Sequence, residues 1–317
     1  MYAQLIMLFA LLFTGLFLYR AGLLNKAANL GINKMLLYFT FPCMIMYKIG
    51  TMEMTDRLFN DFIAMLILGM VSYGLFTAIT IIYYRVRGIR DQVSDCAILS
   101  TILPNNGFIG YPVALVFLGE SGLLMMIAHG AIAFNLFVFT FGINFLRKGK
   151  GENAPMTLKG ILSVFGKLLI NPIILSIPAG LIILFAHIPM DNIAGEYLSA
   201  ISGMASPLAM IYVGSAVAEG DIMSTFKEGI IREISFVKLI LIPVITALCV
   251  LWLPVSPLVK ATLILGSSFP CAAIPVMLGQ QEGLDYSQAG KALLFSTLLS
   301  VITIPLVIRI LTVILPL

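Results

Sequence analysis

The chain has 317 residues, of which 60% are hydrophobic and only 11% are charged. A soluble domain carries about 25% charged residues, so these proportions exclude a soluble globular protein. The net charge of +4 does not indicate nucleic-acid binding, because the lysines and arginines lie at the ends of long apolar segments.

Apolar segments of about 20 residues, long enough to cross a bilayer, recur along the whole chain. They predict an all-α polytopic membrane protein with short connections. The first segment lacks a basic n-region and a small-residue cleavage site, so we expect a retained span there and not a signal peptide. The ten predicted spans cover approximately residues 2–20, 30–50, 59–84, 94–119, 121–146, 158–186, 196–218, 231–253, 257–281 and 287–315.

Lysine and arginine are unevenly divided between the two sets of connections. They concentrate around residues 20–34, 85–90, 147–159 and 227–232, whereas the opposite ends of the spans carry little beyond Lys48, Arg57 and Lys260. The excess of basic residues marks the cytoplasmic side. With an even number of spans, we therefore expect both termini on the extracytoplasmic side of a plasma (inner) membrane.

The fourth span, residues 96–119, reads CAILSTILPNNGFIGYPVALVFLG and contains residues that break a helix. Pro104 lacks a backbone N–H and disfavours helical geometry at Leu103, and Pro112 follows within eight residues. In hydrocarbon, a broken segment is tolerated only where protein packs around it or where it lines a wet cavity. This break is therefore the first candidate for a binding site, although a simple proline kink is the alternative. Its candidate binding residues are Pro104, Asn105, Asn106, Gly107 and Tyr111.

The second and seventh predicted spans share a pattern, which indicates a repeat of about 160 residues. The second span reads FTFPCMIMYKIG, with Pro42 five residues before Tyr47. The seventh reads GMASPLAMIYVGSAV, with Pro207 five residues before Tyr212. The two tyrosines are either packing aromatics or ligand contacts at matched positions.

The ninth span, residues 257–281, matches the fourth because it also has a double-proline break. It reads LILGSSFPCAAIPVMLG, with Pro270 and Pro275. Each half thus has five spans, and an odd number forces the two halves into opposite orientations. Inverted repeats with paired broken helices indicate a secondary transporter with a site at the bilayer midplane, where half-helix N-termini favour an anion. The candidate residues of this second break are Ser268, Pro270 and Cys271, with Pro104, Pro112, Pro270 and Pro275 as crossover or hinge positions.

Three motifs resemble the auxin efflux carrier family, whose bacterial members include malonate-type permeases. NNGFIGYPVALVFLG resembles the first crossover signature of that family. LLINPIILSIPAGLI, at residues 168–182, resembles the start of its second repeat, and SSFPCAAIPVML resembles its second crossover. The resemblance implies ten helices in two inverted five-helix repeats, a fold related to the bile-acid transporters, and elevator-like movement of organic anions by homodimers. Two features are departures: the connection between the halves is short, whereas plant members of the family carry a long cytoplasmic loop there, and the second crossover has no asparagine near its prolines.

The two repeats are predicted by the pattern of the sequence, whereas the division into a scaffold part and a transport part is what the resemblance implies. We expect one part to act as a scaffold, which also forms the homodimer contact, and a second part to move with the substrate. The expected units are a first repeat 1–146, a cytoplasmic linker 147–157 and a second repeat 158–317, with the scaffold at 1–50 and 158–218 and the transport part at 59–146 and 231–317.

Several polar side chains outside the breaks have two interpretations each. Asn135 is either an interhelical hydrogen-bonding residue or a ligand contact, since a buried amide needs partners. His129 is either a packed neutral histidine or a proton carrier. Lys48 either extends to the membrane surface or attracts an anion at the outer mouth.

Glu120 and Glu282 follow the two broken spans, where solvated span ends are expected and a cation or proton site is the alternative. Ser296, Thr297 and Ser300 form a polar face on the tenth span that is expected to line the transport part.

These observations predict a secondary transporter for small mono- or dicarboxylates, auxin-like or malonate-like, which binds the carboxylate where the fourth and ninth spans cross. The alternatives are an anion channel and a cation-coupled symporter of a bile-acid-type substrate. The absence of an acidic residue at membrane depth favours uniport or transport driven by the membrane potential. We expect no enzyme, cofactor, metal or nucleic-acid partner, because paired titratable groups at depth, phosphate loops and metal-ligand spacing are missing.

Overall fold

The computed structural model describes residues 2–149 and 170–316, with Gly166 between them. Most of the predicted linker 147–157 and the beginning of the sixth predicted span lie outside these ranges. In its first part the chain forms α1 (Tyr2–Arg20), α2 (Lys26–Met35), α3 (Phe41–Gly50), α4 (Asp56–Val86), α5 (Asp95–Ile102), α6 (Tyr111–Ile127), α7 (Phe134–Phe137) and α8 (Ile143–Gly149). The second part forms α9 (Pro172–Phe185), α10 (Ile193–Ala218), α11 (Ile222–Lys227), α12 (Gly229–Phe236), α13 (Ile242–Val250), α14 (Pro257–Ser267), α15 (Ile274–Gln281) and α16 (Ser287–Ile314).

Short π-helical segments lie between several of these helices and continue directly into the α-helix that follows. Such segments occur frequently at functional sites. They are Leu36–Thr40, Asn106–Gly110, Ala128–Ala133, Val138–Gly142 and Val237–Leu241.

Capping side chains fix the starts of the helices that lead to the two breaks. Ser94 Oγ accepts the Ala97 N–H at the start of α5, and Ser256 Oγ accepts the Val259 N–H at the start of α14. Each cap satisfies one of the N–H groups that a helix start leaves free. The two broken spans therefore begin with the same local chemistry.

Six helical segments in the described ranges are long and apolar enough to cross a membrane, and two shorter apolar helices, Pro172–Phe185 and Pro257–Ser267, accompany them. The predicted fourth and fifth spans are joined in one segment, Asn106–Arg147. That segment changes direction at Gly119, which has a φ of +69° that disfavours residues with a side chain. The ten predicted spans therefore do not appear as ten uninterrupted helices.

The first bundle consists of α1, α2, α3, α9 and α10. Helix α1 lies along α10, and α9 and α10 both pack on α3. Glycines allow the closest approach: a Cβ on Gly15 would lie 2.0 Å from the Ile211 carbonyl oxygen, and one on Gly214 would lie 1.8 Å from that of Leu12. Small residues at such contacts are typical of helices that associate in membranes.

The second bundle consists of α4–α8 and α12–α16, and it surrounds the two breaks. Helix α4 packs on the segment Ala128–Ala133, α14 packs on α6 and α13, and α16 packs on α5 and α12. The segment Asn106–Gly110 contacts α10 of the first bundle. The first break therefore lies where the two bundles meet.

Both breaks are shorter than the proline pairs suggested. The helix resumes at Asn106 after the first break and at Ile274 after the second. Pro275 lies in the first turn of α15, where the missing N–H of proline removes no helical hydrogen bond. Pro112 instead lies near the start of α6, directly after the π-helical segment Asn106–Gly110. Neither of these prolines lies in a break, whereas Pro104 and Pro270 do.

Candidate functional site

The two breaks lie against each other in an antiparallel backbone bridge between Pro104 and Cys271. The bridge satisfies backbone groups that would otherwise be unpaired in the interior, which is the condition for non-helical chain at membrane depth. It contains two hydrogen bonds, from the Asn105 N–H to the Pro270 carbonyl at 2.8 Å and from the Ala272 N–H to the Leu103 carbonyl at 2.9 Å.

The two asparagines of the first break have different roles. Asn105 caps the half-helix that follows, because its Oδ1 accepts the Phe108 N–H at 3.3 Å. Asn106 is buried, and its Nδ2 donates to the Tyr73 hydroxyl at 3.0 Å and lies 3.3 Å from His129 Nδ1. Its Oδ1 is also buried and has no hydrogen-bond partner in the part of the chain that the structure describes. Asn106 therefore retains an unused acceptor at the crossing.

The contacts of His129 define a neutral tautomer. Nδ1 faces the Asn106 amide N–H and therefore accepts a hydrogen bond. The Ser72 hydroxyl donates to the Gly69 carbonyl at 2.7 Å, so at 3.2 Å it accepts from His129 Nε2–H. The Tyr73 ring stacks on the imidazole at 4.9 Å and its hydroxyl donates to the His129 carbonyl. This geometry matches the packed neutral histidine and leaves neither ring nitrogen free.

Two glycines make room for this cluster. A Cβ on Gly130 would lie 2.5 Å from Asn106 Cβ, and a Cβ on Gly266 would lie 3.1 Å from the His129 ring. Gly266 belongs to α14, which precedes the second break. The cluster of Tyr73, Asn106 and His129 is therefore enclosed by residues from both halves of the chain.

The second break has fewer polar side chains than the first that could contact a ligand. The hydroxyls of Ser267 and Ser268 donate to carbonyls at the end of their own helix. Support comes from α16, where Ser296 Oγ accepts the Cys271 N–H at 3.0 Å, and from Ser100 on α5, which donates to the Ala272 carbonyl at 3.4 Å. Ser296 of the predicted polar face thus contacts the crossing.

An open space lies beside Gly107 at the start of the first half-helix. A Cβ on Gly107 would meet no other atom within 4 Å, although the neighbouring Asn106 is buried. The Phe108 ring lies 4.8 Å from Tyr212 and 5.9 Å from Phe41, both in the first bundle. The space therefore opens at the boundary between the bundles.

The predicted aromatic ligands do not all reach this space. Tyr212 does, through its contact with Phe108. Tyr47 instead lies beside Lys48, whose Nζ is 5.9 Å from its ring centre. Tyr111 is buried and packs edge-on against Phe41. The matched sequence positions of Tyr47 and Tyr212 thus do not produce matched contacts.

Asn135 and Lys48 each have a different partner from those expected. Asn135 Nδ2 donates to the Ala131 carbonyl of its own helix at 2.7 Å, so the expected interhelical bond is not the one observed. Lys48 forms an ion pair with Glu120 at 2.7 Å. The pair joins α3 of the first bundle to α6 of the second.

Three clefts open elsewhere on the surface. A cleft of about 560 Å³ is lined by Tyr83 and Glu233 among others, and one of about 460 Å³ by Arg57 and Glu120 among others. A third, of about 660 Å³, is largely apolar and includes Phe137 and Phe141. At the crossing, Asn105, Asn106 and Ser268 are buried, whereas Gly107 and Phe108 are partly exposed.

Lys238 was missed by the sequence interpretation. It is fully buried in the middle of the segment Gly229–Val250, and its Nζ lies 5.6 Å from the Phe76 ring centre. The signal was present as one lysine in the apolar run FVKLILIPV, residues 236–244. The positive-inside rule uses only the basic residues at the ends of spans, so it gives no weight to a lysine in the middle of one.

The sequence profile described as "membrane transport protein" matches residues 1–308. The chain belongs to this family. It is 22% identical over 285 residues to an uncharacterised transporter of Methanothermobacter thermautotrophicus, with 90% of each chain covered. It is 25% identical over 298 residues to an uncharacterised transporter of Methanocaldococcus jannaschii, again with 90% of each chain covered. The resemblance to the auxin efflux carriers is confirmed, and the protein is a membrane transporter and not an enzyme.

Proposed function

We propose that this transporter carries small organic anions and binds their carboxylate at the crossing of the two breaks. The observation that carries the proposal is the open space beside Gly107, at the start of a half-helix in an otherwise buried region. The N-terminus of a helix presents N–H groups and a partial positive charge, so it favours an anion without a neighbouring arginine. Mono- and dicarboxylates of malonate or indole-acetate size are the proposed class.

The side chains around this space have different roles in the proposed site. Asn105 shapes the half-helix start through its cap on Phe108, and Asn106 places a second amide beside it. Phe108 and Tyr212 supply an apolar edge at the bundle boundary for the rest of the substrate. We assign contact with the substrate to Asn105, Asn106 and Gly107, with Pro104, Pro270, Cys271 and Ser268 holding the crossing. Because Asn106 Nδ2 already bonds to Tyr73 and His129, its part in binding is to accept a hydrogen bond at Oδ1 from a hydroxyl or a protonated carboxyl group of the substrate.

The proposed mechanism is alternating access of the elevator type. The second bundle would carry the crossing past the first bundle, which presents α3 and α10 on the opposite side. The bridge ties both breaks into the second bundle, so they would move together. In this scheme the first bundle also forms the homodimer contact, the protein spans the plasma (inner) membrane, and both termini are extracytoplasmic.

The test is uptake of radiolabelled malonate and indole-acetate into proteoliposomes. We expect saturable uptake that is stimulated by unlabelled anion on the opposite side, which a channel would not show. Asn105→Ala and Asn106→Ala should each reduce uptake at least tenfold, the order expected when about 1.4 kcal/mol of binding is lost. Gly107→Val should also reduce uptake at least tenfold, because its side chain would fill the space. We expect no steric clash at its Cβ, which would meet nothing within 4 Å.

Asn144→Ala is the matched control, because that amide bonds within its own helix, to the Thr140 carbonyl. Its uptake should equal that of the wild type. Undiminished uptake by both Asn105→Ala and Asn106→Ala would rule out the assigned site, and failure of the wild type to carry either anion would rule out the proposed substrate class.

A further inference from the structure

Lys238 lies at membrane depth and has no place in the site described above. It belongs to the π-helical segment Val237–Leu241, and none of its surface is exposed. The segments Asn106–Gly110 and Ala128–Ala133 are also π-helical and carry Asn106 and His129. Three buried polar side chains thus stand on local irregularities of otherwise apolar helices, as is common at functional sites.

Within the described residues, the ammonium group of Lys238 has no counter-charge. Its Nζ has no hydrogen-bond partner, and it takes part in none of the ion pairs found in residues 2–149 and 170–316. The carboxylate of its own helix, Glu233, is bound to Arg87 at 2.7 Å and to the Tyr83 hydroxyl. A buried ionisable group in this situation either acquires an opposite charge or exchanges its proton.

The position of Lys238 connects it to the crossing. Its Nζ lies 5.6 Å from the Phe76 ring centre, and the Phe76 ring packs edge-on against Tyr73, whose hydroxyl accepts a hydrogen bond from Asn106. Asn106 is followed directly by Gly107 at the start of the first half-helix. An anion bound beside Gly107 therefore brings negative charge to the region that Lys238 adjoins.

We infer that Lys238 is the proton-binding site that couples anion transport to the proton gradient. Lys238 Nζ takes a proton from water as the anion enters the crossing and returns it to water on the other side as the anion leaves. Proton and anion thus travel in the same direction. The proton on Lys238 offsets one negative charge of the bound anion while both are inside the protein. This inference rests on the proposed function.

The other titratable groups around Lys238 serve this role less well. His129 has both ring nitrogens engaged, and a thiol or phenol that lost its proton would repel the anion. The titratable groups on the elements packed against the Lys238 segment include Tyr73, Tyr83 and Tyr84 on α4, Cys96 and Asp95 on α5, Lys291 and Arg309 on α16, and Glu233 and Arg232 on its own helix, and Cys271 lies at the second break.

The experiment measures the ratio of radiolabelled malonate inside proteoliposomes to that outside, with the membrane potential clamped at zero. With the outside more acidic by one pH unit, the wild type should accumulate malonate about tenfold inside, the ratio for one proton per anion. Lys238→Met should lose this accumulation. Lys238→Arg keeps a permanent charge, so it should exchange malonate for malonate but accumulate none in response to the pH gradient.

Lys34→Met, at an exposed lysine of α2, is the matched control and should accumulate malonate like the wild type. Thermal unfolding in detergent identifies variants that fail to fold, and Lys238→Arg keeps the test open if Lys238→Met is one of them. Wild-type exchange without accumulation, or accumulation by Lys238→Met, overturns this inference alone, as does joint loss of exchange and accumulation in Lys238→Arg. Absence of wild-type exchange overturns the proposed function as well.

Discussion

The first and second breaks share their backbone contacts but differ in the side chains that surround them. At the first break, the Asn106 amide joins Tyr73 and His129 in a buried cluster. At the second, the hydroxyls of Ser267 and Ser268 are used within their own helix. The bridge requires only extended backbone near a proline, which either repeat supplies, whereas an amide at the crossing comes only from the first.

This difference suggests how the two breaks divide their roles. The first break would recognise the substrate, and the second would hold the first in place through the bridge and through Ser296. The predictions that follow test whether the first break recognises the substrate and whether the second break supports the first. They begin with the variant that should destabilise the protein most.

Gly130→Ala should have the largest effect, because its Cβ would lie 2.5 Å from Asn106 Cβ, a distance that neither backbone can relieve cheaply. We expect a loss of about 3 kcal/mol, the upper part of the range for overpacking, together with loss of transport. Thermal unfolding in detergent measures the first effect and malonate exchange the second.

Two matched glycine variants sharpen the comparison. Gly266→Ala, before the second break, should cost less, because its Cβ would be 3.1 Å from the His129 ring, which can shift slightly. Gly74→Ala, which meets nothing within 4 Å, should not destabilise the protein. Equal losses for Gly130→Ala and Gly266→Ala would show that the cluster is no more rigid on the side of the first break.

Ser296→Ala tests the support of the second break. It would leave the buried Cys271 N–H without its acceptor at 3.0 Å, and an unsatisfied buried donor costs about 1–3 kcal/mol. Ser300→Ala is the control, because that buried hydroxyl bonds to the Thr297 carbonyl of its own helix. The unfolding midpoint should fall for the first variant and change little for the second; the reverse order would contradict the supporting role of α16.

The sequence identified the two breaks because the physical cause was local. Pro104 and Pro270 cannot continue a helix, and their neighbours favour turns, so the places of interruption were readable from a few residues. The extent of the breaks was not, because Pro275 fits the first turn of a helix, and Pro112 fits a helix that follows a π-helical segment, as well as either fits a break. Only the backbone conformation of the chain distinguishes the two cases.

The cluster around Asn106 could not be predicted, because its members are far apart in the sequence. Tyr73 and His129 come from α4 and from the π-helical segment after α6, and each alone is an ordinary residue of an apolar helix. Their contact depends on Gly130, whose missing side chain allows the close approach. Lys238, by contrast, could have been found, since one lysine within an apolar span is itself a signal.

Apart from the controls Gly74→Ala and Ser300→Ala, Lys48→Met should have the smallest effect on stability, below about 1 kcal/mol, because the pair with Glu120 is partly exposed. This pair follows the first crossover and joins the two bundles. The corresponding pair after the second crossover, Arg147 with Glu282 at 3.3 Å, lies within the second bundle. If the second bundle moves past the first, only the Lys48 pair must break during transport.

Malonate exchange should therefore be faster at saturating substrate in Lys48→Met and unchanged in Arg147→Met, with the same KM in both. The alternative interpretation, in which Lys48 attracts the anion at the outer mouth, gives a different result: KM would rise and the maximal rate would stay the same. Equal acceleration by Lys48→Met and Arg147→Met would contradict both, because the Arg147 pair does not cross between the bundles. A maximal rate that is higher in Lys48→Met than in Arg147→Met would thus show that the first bundle restrains the first crossover and not the second.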